Sequence, residues 1–304
     1  NSCRRNLEKH MLQDFLSSVQ TEVKSRIKDI IGESNPIEKS MTYTSMLPSK
    51  MVRAGLVIAS GEANTNIDKS SLINMACAIE MMHSYSLIHD DLPCMDDDDI
   101  RRNSPSNHVV FGEANAVLAG DALQALAFQV IAEDEKLDDG QKIKAIKLLS
   151  SACGKNGMVY GQHLDIENEN NEHTTQLDLE QIHHLKTGRL IECSILMGQI
   201  NSSINLDDQK KLELFSQKIG LAFQIKDDVL DIVGNIEKLG KNKLSDIKND
   251  KSTYVKIVGL ENAIERYEAL TQDALFLLRN VSYDNNEQTD KLENLAKYII
   301  NRES

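Results

Sequence analysis

The chain has 304 residues, 40% of them apolar, and carries 34 Lys and Arg against 47 Asp and Glu, a formal net charge of −13. That length is long for one globular unit and short for two of ordinary size, and the apolar share can supply a sizeable core. The negative charge excludes general binding to nucleic acid, whose phosphates it repels, but allows local phosphate contact through clustered Lys and Arg or through bridging metal ions.

The prolines are Pro36, Pro48, Pro93 and Pro105, and none follows. The rest of the chain is rich in Leu, Ile, Ala, Lys and Glu, which argues for helices. Apolar residues recur at helical spacing, as in Met75, Ile79 and Met82 or Leu212, Phe215, Ile219 and Phe223. The alternation expected of strands is scarce. In chain order the pattern predicts helices over 7–32, 37–47, 51–63, 69–91, 111–135, 140–165, 178–200, 207–234, 252–280 and 288–301. No intervening segment is long enough to separate a pair of domains. The expected architecture is therefore all-α, a single-domain helical bundle over residues 1–304 with about ten or more helices.

Cys3, Cys77, Cys94, Cys153 and Cys193 show no CxxC spacing, which fits reduced thiols. No uninterrupted apolar run reaches the ~18 residues of a membrane span, and the first residues hold no apolar signal core. The cytoplasm is the expected location.

Two acidic stretches stand out. In "IHDDLPCMDDDD" (88–99), Asp90 closes a helix, Pro93 breaks it, and Asp96 must swing back over a turn to join Asp90 and Asp91. In "FQIKDDVLDIVG" (223–234), Gln224, Asp227 and Asp231 share one helix face, flanked by Asp228. Carboxylates among apolar residues need cations or raised pKa values. A solvated acidic face accounts equally well for either stretch alone, but two separate carboxylate clusters suit hard, oxygen-seeking Mg²⁺. Basic residues recur at Lys50, Arg53, Arg101, Arg102, Lys186, Lys241 and Lys251. Arg101 and Arg102 could simply neutralise the preceding aspartates. In "HHLKTGRL", by contrast, Lys186 and Thr187 interrupt an apolar-periodic helix, and both side chains can contact a phosphate oxygen.

The combination "HSYSLIHDDLPCMDDDDIRR", "HVVFGEANAVLAGDALQ", "GQHLDI", "HLKTGRLI", "GLAFQIKDDVLDIVG", "LGK" and "KSTY" resembles the trans-isoprenyl diphosphate synthases, specifically bacterial short-chain enzymes of the farnesyl diphosphate synthase (geranyltranstransferase) type. The resemblance implies the isoprenoid synthase fold, with helices around a central substrate cavity, and a cytoplasmic homodimer. It implies that Asp90, Asp91, Asp96, Asp227 and Asp231 hold about three Mg²⁺ ions on an allylic diphosphate, with Asp228 acting from behind them. It further implies that Arg101, Lys186 and Lys241 contact that diphosphate and that Lys251 contributes to substrate binding. Thr187 and Gln224 would lie near the developing cation. Lys50, Arg53, His83 and Arg102 would bind isopentenyl diphosphate, the second substrate, without metal. The chain departs from the family at 48–54, where "PSKMVRA" replaces the usual Gly-Gly-Lys-Arg-Leu-Arg-Pro, and at Leu244, where Gly is common.

The implied reaction is condensation of isopentenyl diphosphate with dimethylallyl or geranyl diphosphate, giving the C15 product. Ala78, Met82, Tyr85, Ser86 and His89 share a face of the helix that leads to Asp90, and Met82, Tyr85 and Ser86 are the expected determinants of chain length. Each isoprene unit adds about one helix turn of length, and bulky Tyr85 is the expected floor. Geranyl or geranylgeranyl diphosphate as main product, and a non-catalytic partner subunit, stay open as alternatives. A terpene cyclase is disfavoured by the absence of Trp and the 4% aromatic content, since cyclases guide cations with aromatic faces. A phosphohydrolase built on His89–Asp90 would leave the second acidic stretch unexplained.

Overall fold

The computed structural model describes residues 2–168, 171, 173–239 and 254–301. The first half of the chain forms α1 (Ser2–Ile31), α2 (Pro36–Met46), α3 (Val52–Gly61) and α4 (Lys69–Asp90), then α5 (Asn107–Phe111), α6 (Glu113–Ala132) and α7 (Asp139–Cys153). The second half forms α8 (Met158–Asn168), α9 (Gln176–His183), a π-helical turn (His184–Gly188), α10 (Arg189–Gly198), α11 (Leu206–Leu239), α12 (Tyr254–Val258), α13 (Leu260–Arg279) and α14 (Asp290–Asn301). The fold is all-α, as the sequence pattern predicts. A two-stranded ribbon, β1 (Ile100–Arg101) and β2 (Ser104–Pro105), interrupts it just after the first acidic stretch.

Local chemistry sets several helix starts. The Asn35 side chain accepts from the backbone N–H groups of Ile37 and Glu38, and Pro36 takes the first helical position, where a missing N–H costs nothing. Asp138 with Gln141, and Thr175 with Asp178, form reciprocal capping boxes. Three helices expected to be continuous are divided. The helix expected over 140–165 breaks in the turn "GKNG" between α7 and α8, and the one over 252–280 breaks at Gly259. The one over 178–200 widens into the π turn. Periodicity misses these breaks because the apolar stripe resumes on the far side of each.

The core has two apolar clusters that meet along α3 and α10. Ala54, Val57 and Ile58 of α3 join one cluster with α1, α4, α6 and α7, while Leu56 and Ala59 join the other with α11, α13 and α14. Helix α10 divides in the same way, with Leu190, Cys193 and Met197 on one side and Ile191 and Ile195 on the other. These two helices are apolar on nearly every side because most of their residues are buried between the clusters. Among the described residues α6 is the one helix long and apolar enough to cross a membrane, and its Ala116, Ala119, Leu123 and Ala127 are buried in the core.

The α3–α10 crossing brings backbone against backbone. Ser60 Oγ donates to Ile195 O at 2.8 Å, Gln199 Nε2 donates to Ser60 O at 2.6 Å, and Asn64 Nδ2 donates to Gly198 O at 3.0 Å. A Cβ on Gly198 would stand 2.5 Å from Gly61 N and 2.6 Å from Val57 O. These are backbone atoms, which cannot swing aside. Gly198→Ala is expected to lower stability by about 1–3 kcal/mol, measured by urea denaturation. Wild-type stability in that variant would show that the helices can move apart without cost.

Candidate active site

Helices α3, α4 and α8 and the π turn enclose a cavity of about 420 Å³. Its lining brings together Arg53, His83, Tyr85, Ser86, His89, Asp90, Lys186 and Thr187 from the residues singled out in the sequence. Met82 does not join them, because it is 1% exposed and packs into the core. Ala78 is likewise buried in that core. Of the expected chain-length residues, Tyr85 and Ser86 reach the cavity wall.

Asp90 is the last residue of α4. The chain then folds back as expected, with Asp96 N donating to Asp90 O at 2.8 Å and Asp97 N to Leu92 O at 3.1 Å. Asp97 adopts φ 53°, the left-handed conformation that lets the turn close. Burial pushes the Asp90 carboxyl from 3.8 up to about 6, with Lys186 opposing the rise and Asp96 adding to it. Asp91, 2% exposed, receives Arg101 in a two-pronged ion pair, with Arg101 Nε at 2.9 and 3.2 Å from its two oxygens. That hydrogen bonding raises the Arg101 pKa further. Asp98 Oδ2 lies 3.6 Å from Arg101 Nη2, where it balances the guanidinium, and Asp99 Oδ1 lies 3.7 Å from His108 Nε2. The ribbon that follows turns through Arg102 and Asn103, both at positive φ, as a two-residue hairpin requires.

Lys186 and Thr187 sit on the π turn. A Cβ on Gly161 would lie 2.3 Å from Lys186 N, so α8 presses directly onto this turn. Lys186 Nζ reaches Asp165 Oδ2 of α8 at 2.6 Å. Burial works against the Lys186 ammonium, but Asp165, with Asp90 and Asp96 beyond it, overcomes that and holds its pKa above the ordinary value. Thr187 Oγ1 donates to Gln224 Oε1 at 2.9 Å, which ties the π turn to α11.

On α11, Asp231 is exposed and Asp228 is buried. The Asp228 carboxylate accepts from Tyr254 N at 2.8 Å and lies 3.6 Å from His183 Nε2. It therefore caps the start of α12, in keeping with a place behind the other aspartates. Asp227 is partly buried on the same helix. Among the described residues no group of three or more His, Cys, Asp or Glu side chains is arranged to hold a metal ion. Asp96 is folded back against Asp90, and Asp91 is held by Arg101.

Arg53 opens α3, and its Nη1 lies 3.4 Å from His83 Nε2. A guanidinium can only donate, so His83 presents an unprotonated Nε2. Burial, reinforced by Arg53, keeps the imidazole pKa well below its ordinary value. Beneath them lies Glu80, 5% exposed, which accepts from Ala54 N at 2.9 Å. Burial raises its pKa, and the charges of Arg53, Arg102 and Lys24 counter that rise. Arg102 is partly buried, and Lys50 is exposed at the start of this segment. Lys241, Lys251 and Leu244 lie outside the described residues.

Sequence reasoning missed Glu80, Lys24, Asp165 and Gln162. Glu80 had a signal, as a lone carboxylate within the most apolar stretch of α4. Asp165 and Gln162 fall inside "GQHLDI", whose individual residues carried no assignment. Lys24 had no signal, because its placement depends on how α1 crosses α2, where it donates to Met46 O at 3.1 Å and Leu47 O at 3.0 Å.

The polyprenyl synthetase family model matches residues 34–299. The chain is 39% identical over 295 residues to the farnesyl diphosphate synthase of Haemophilus influenzae, covering 96% of this chain and 98% of the relative. It is 41% identical over 276 residues to the farnesyl diphosphate synthase of Escherichia coli, covering 89% and 90%. The crystal structure of an FPP/GFPP synthase from Zymomonas mobilis superposes with a TM-score of 0.84 at 32% identity, covering 95% of this chain and 98% of that one.

The raised Asp90 pKa has a consequence for stability. The unfolded chain ionises this carboxyl near pH 4, ahead of the folded one. The contribution of Asp90 to stability therefore falls as pH rises from about 4 to about 6, and stays low above that. In chelator, Asp90→Asn is expected to raise the melting temperature at pH 7.5 and to change it little at pH 4. An equal shift at both pH values, read by scanning calorimetry, would place the burial cost elsewhere.

Proposed function

The chain belongs to the polyprenyl synthetase family, and on that premise we propose that it condenses isopentenyl diphosphate with an allylic diphosphate, dimethylallyl or geranyl, to give mainly farnesyl diphosphate. The observation that carries this reading is the single cavity lined both by Arg53 and His83 and by Asp90, Lys186 and Thr187. One volume thus offers cationic and polar contacts for two diphosphates, with an apolar wall of Met95, Met158 and Ile166 for prenyl chains.

In this proposal Asp90, Asp91, Asp96, Asp227 and Asp231 hold about three Mg²⁺ ions. The donor set fits a hard cation: it is all carboxylate, and Asp90 and Asp96 act on each other strongly enough to help lift the Asp90 pKa. When bound, Mg²⁺ would neutralise the charge that builds on the diphosphate oxygens as the allylic C–O bond breaks. Lys186, held as an ammonium by Asp165, adds a charge-assisted hydrogen bond to the same oxygens. Arg101 can exchange Asp91 for phosphate, freeing that carboxylate in the same movement. Lys241 and Lys251 complete the proposed basic contacts from outside the described residues.

Thr187 and Gln224, joined by a 2.9 Å hydrogen bond, would offer polar oxygens to the allylic cation. Lys50, Arg53, His83 and Arg102 hold isopentenyl diphosphate, and its double bond attacks the cation. His89 Nε2 does not take that proton: a carbonyl only accepts, so the 3.0 Å contact with Val117 O makes His89 Nε2 the donor. The proton lost after C–C bond formation passes to the departing diphosphate. Tyr85, 5% exposed and edge-on to His89 with ring centroids 5.5 Å apart, is the proposed floor under the prenyl tail. We place the enzyme in the cytoplasm as one domain and a homodimer, a second copy covering the exposed Val117 and Leu118 of α6. Light scattering at the mass of one chain would count against that dimer.

Incubation with Mg²⁺, labelled isopentenyl diphosphate and dimethylallyl or geranyl diphosphate is expected to yield a C15 product. No condensation with either allylic substrate would overturn the reading. Arg53→Gln is expected to raise the KM for isopentenyl diphosphate about tenfold or more, as loss of a charged hydrogen bond does, with the allylic KM little changed. Tyr85→Ala is expected to lengthen the product, and chromatography that finds only the parent length would remove Tyr85 as the floor.

A further inference from the structure

A second cavity, of about 600 Å³, opens between α7, α10 and the start of α11. It shares no lining residue with the catalytic cavity. Its volume is that of a small-molecule site. Leu148, Ala152, Leu196, Ile200, Ile204 and Leu212 give it aliphatic walls. None of the described residues lining it is aromatic, so a nucleotide base would find no ring to stack on. The α7 side is basic. Lys144 and Lys147 stand one turn apart, and Ser151 follows a turn later on the same face. Arg189 reaches that face from α10, its Nη2 donating to Ser151 Oγ at 3.2 Å. Three cationic side chains thus gather along one face, in a chain whose net charge is −13. Glu192 answers one of them, accepting from Arg189 Nη1 at 2.7 Å. Glu213, on α11, accepts from Gln209 Nε2 at 3.3 Å. Lys144 donates to the neutral Asn201 side chain, and Lys147 has no ion-pair partner among the described residues. Two ammonium charges therefore stand uncompensated beside an aliphatic hollow.

We propose that this cavity is a second ligand site, taking a phosphate monoester of an aliphatic alcohol. The phosphate sits on Lys144, Lys147 and Arg189, and the chain lies along Leu148, Leu196 and Leu212. Two free ammoniums and a guanidinium suit the double charge of a phosphate better than the single charge of a carboxylate. Arg189 can keep Glu192 on one nitrogen and turn the other from Ser151 to a phosphate oxygen. The aliphatic walls favour a chain, and each methylene they cover strengthens binding about threefold. A straight chain, as in an acyl-lipid precursor, and a branched prenyl chain present the same chemistry to these residues. The site uses none of the residues of the catalytic cavity, so the inference stands apart from the prenyl-transfer reading.

The test is calorimetric titration of the full chain with dodecyl phosphate and with farnesyl phosphate, each below the concentration at which it aggregates. Chelator is present, so that Asp90, Asp91 and Asp96 carry no metal and repel phosphate from the catalytic cavity. Saturable binding is expected. Tighter binding of farnesyl phosphate assigns the site to prenyl compounds, and tighter binding of dodecyl phosphate assigns it to straight-chain lipid precursors. The double variant Lys144→Gln, Lys147→Gln is expected to weaken binding about tenfold or more, as loss of charged hydrogen bonds does. Ser151→Trp, which narrows the cavity, is expected to weaken it as well. All three positions are exposed, so these variants keep the fold. Dodecanol, which lacks the phosphate, is expected to bind about tenfold or more weakly than dodecyl phosphate. Failure of both phosphates to bind saturably overturns the proposal, as does wild-type affinity in the double lysine variant. Loss of binding in Arg53→Gln alone would place the probe in the catalytic cavity and overturn it too.

Discussion

The tightest constraint in the molecule is the approach of α3 to α10. Their backbones meet near Gly198 with no room for a Cβ, and side chains of Ser60, Asn64 and Gln199 tie each helix to the other's carbonyls. Both apolar clusters are built around this pair. The crossing also fixes the chemistry, because α3 begins at the Arg53 side of the cavity and α10 follows the π turn that carries Lys186 and Thr187. Two rigid elements in backbone contact hold those groups at a set separation, which a reaction between two bound substrates requires.

Around that frame, charge is arranged in an order that bound ligands can change. Asp91 with Arg101, Asp165 with Lys186, and Glu80 beneath Arg53 and Arg102 each set a carboxylate against a cation in partly dry surroundings. Burying such groups costs free energy that pairing offsets only incompletely. The site therefore stores groups able to exchange partners, as Arg101 can between Asp91 and a phosphate. The π turn belongs to the same logic, since the widened backbone sets Lys186 and Thr187 into the cavity where a regular helix would continue its apolar stripe.

Much of the fold was legible because helical periodicity is strong and prolines end early. The errors fell where a turn was short. "GKNG" and Gly259 divide helices whose apolar stripe resumes beyond them. The ribbon at 100–105 depends on two residues at positive φ that are not glycine, which local preference does not announce. The folding back of Asp96 onto Asp90 was legible from Pro93 and the spacing of the aspartates. The pairing of Asp91 with Arg101 was not, because spacing alone leaves a neighbouring cation free to serve the carboxylate or a ligand.

The sequence by itself determined the helical class and the acidic and basic motifs, and with them the family, because these are written in residue type and local spacing. Tertiary structure decided which of those residues share a cavity: it admitted Tyr85 and Ser86, sent Met82 into the core, and set Gln162 unpaired beside Lys186 and Thr187. The physical reason is that burial and pairing are properties of the crossing of several helices, and one helix's sequence does not state where another will cross it.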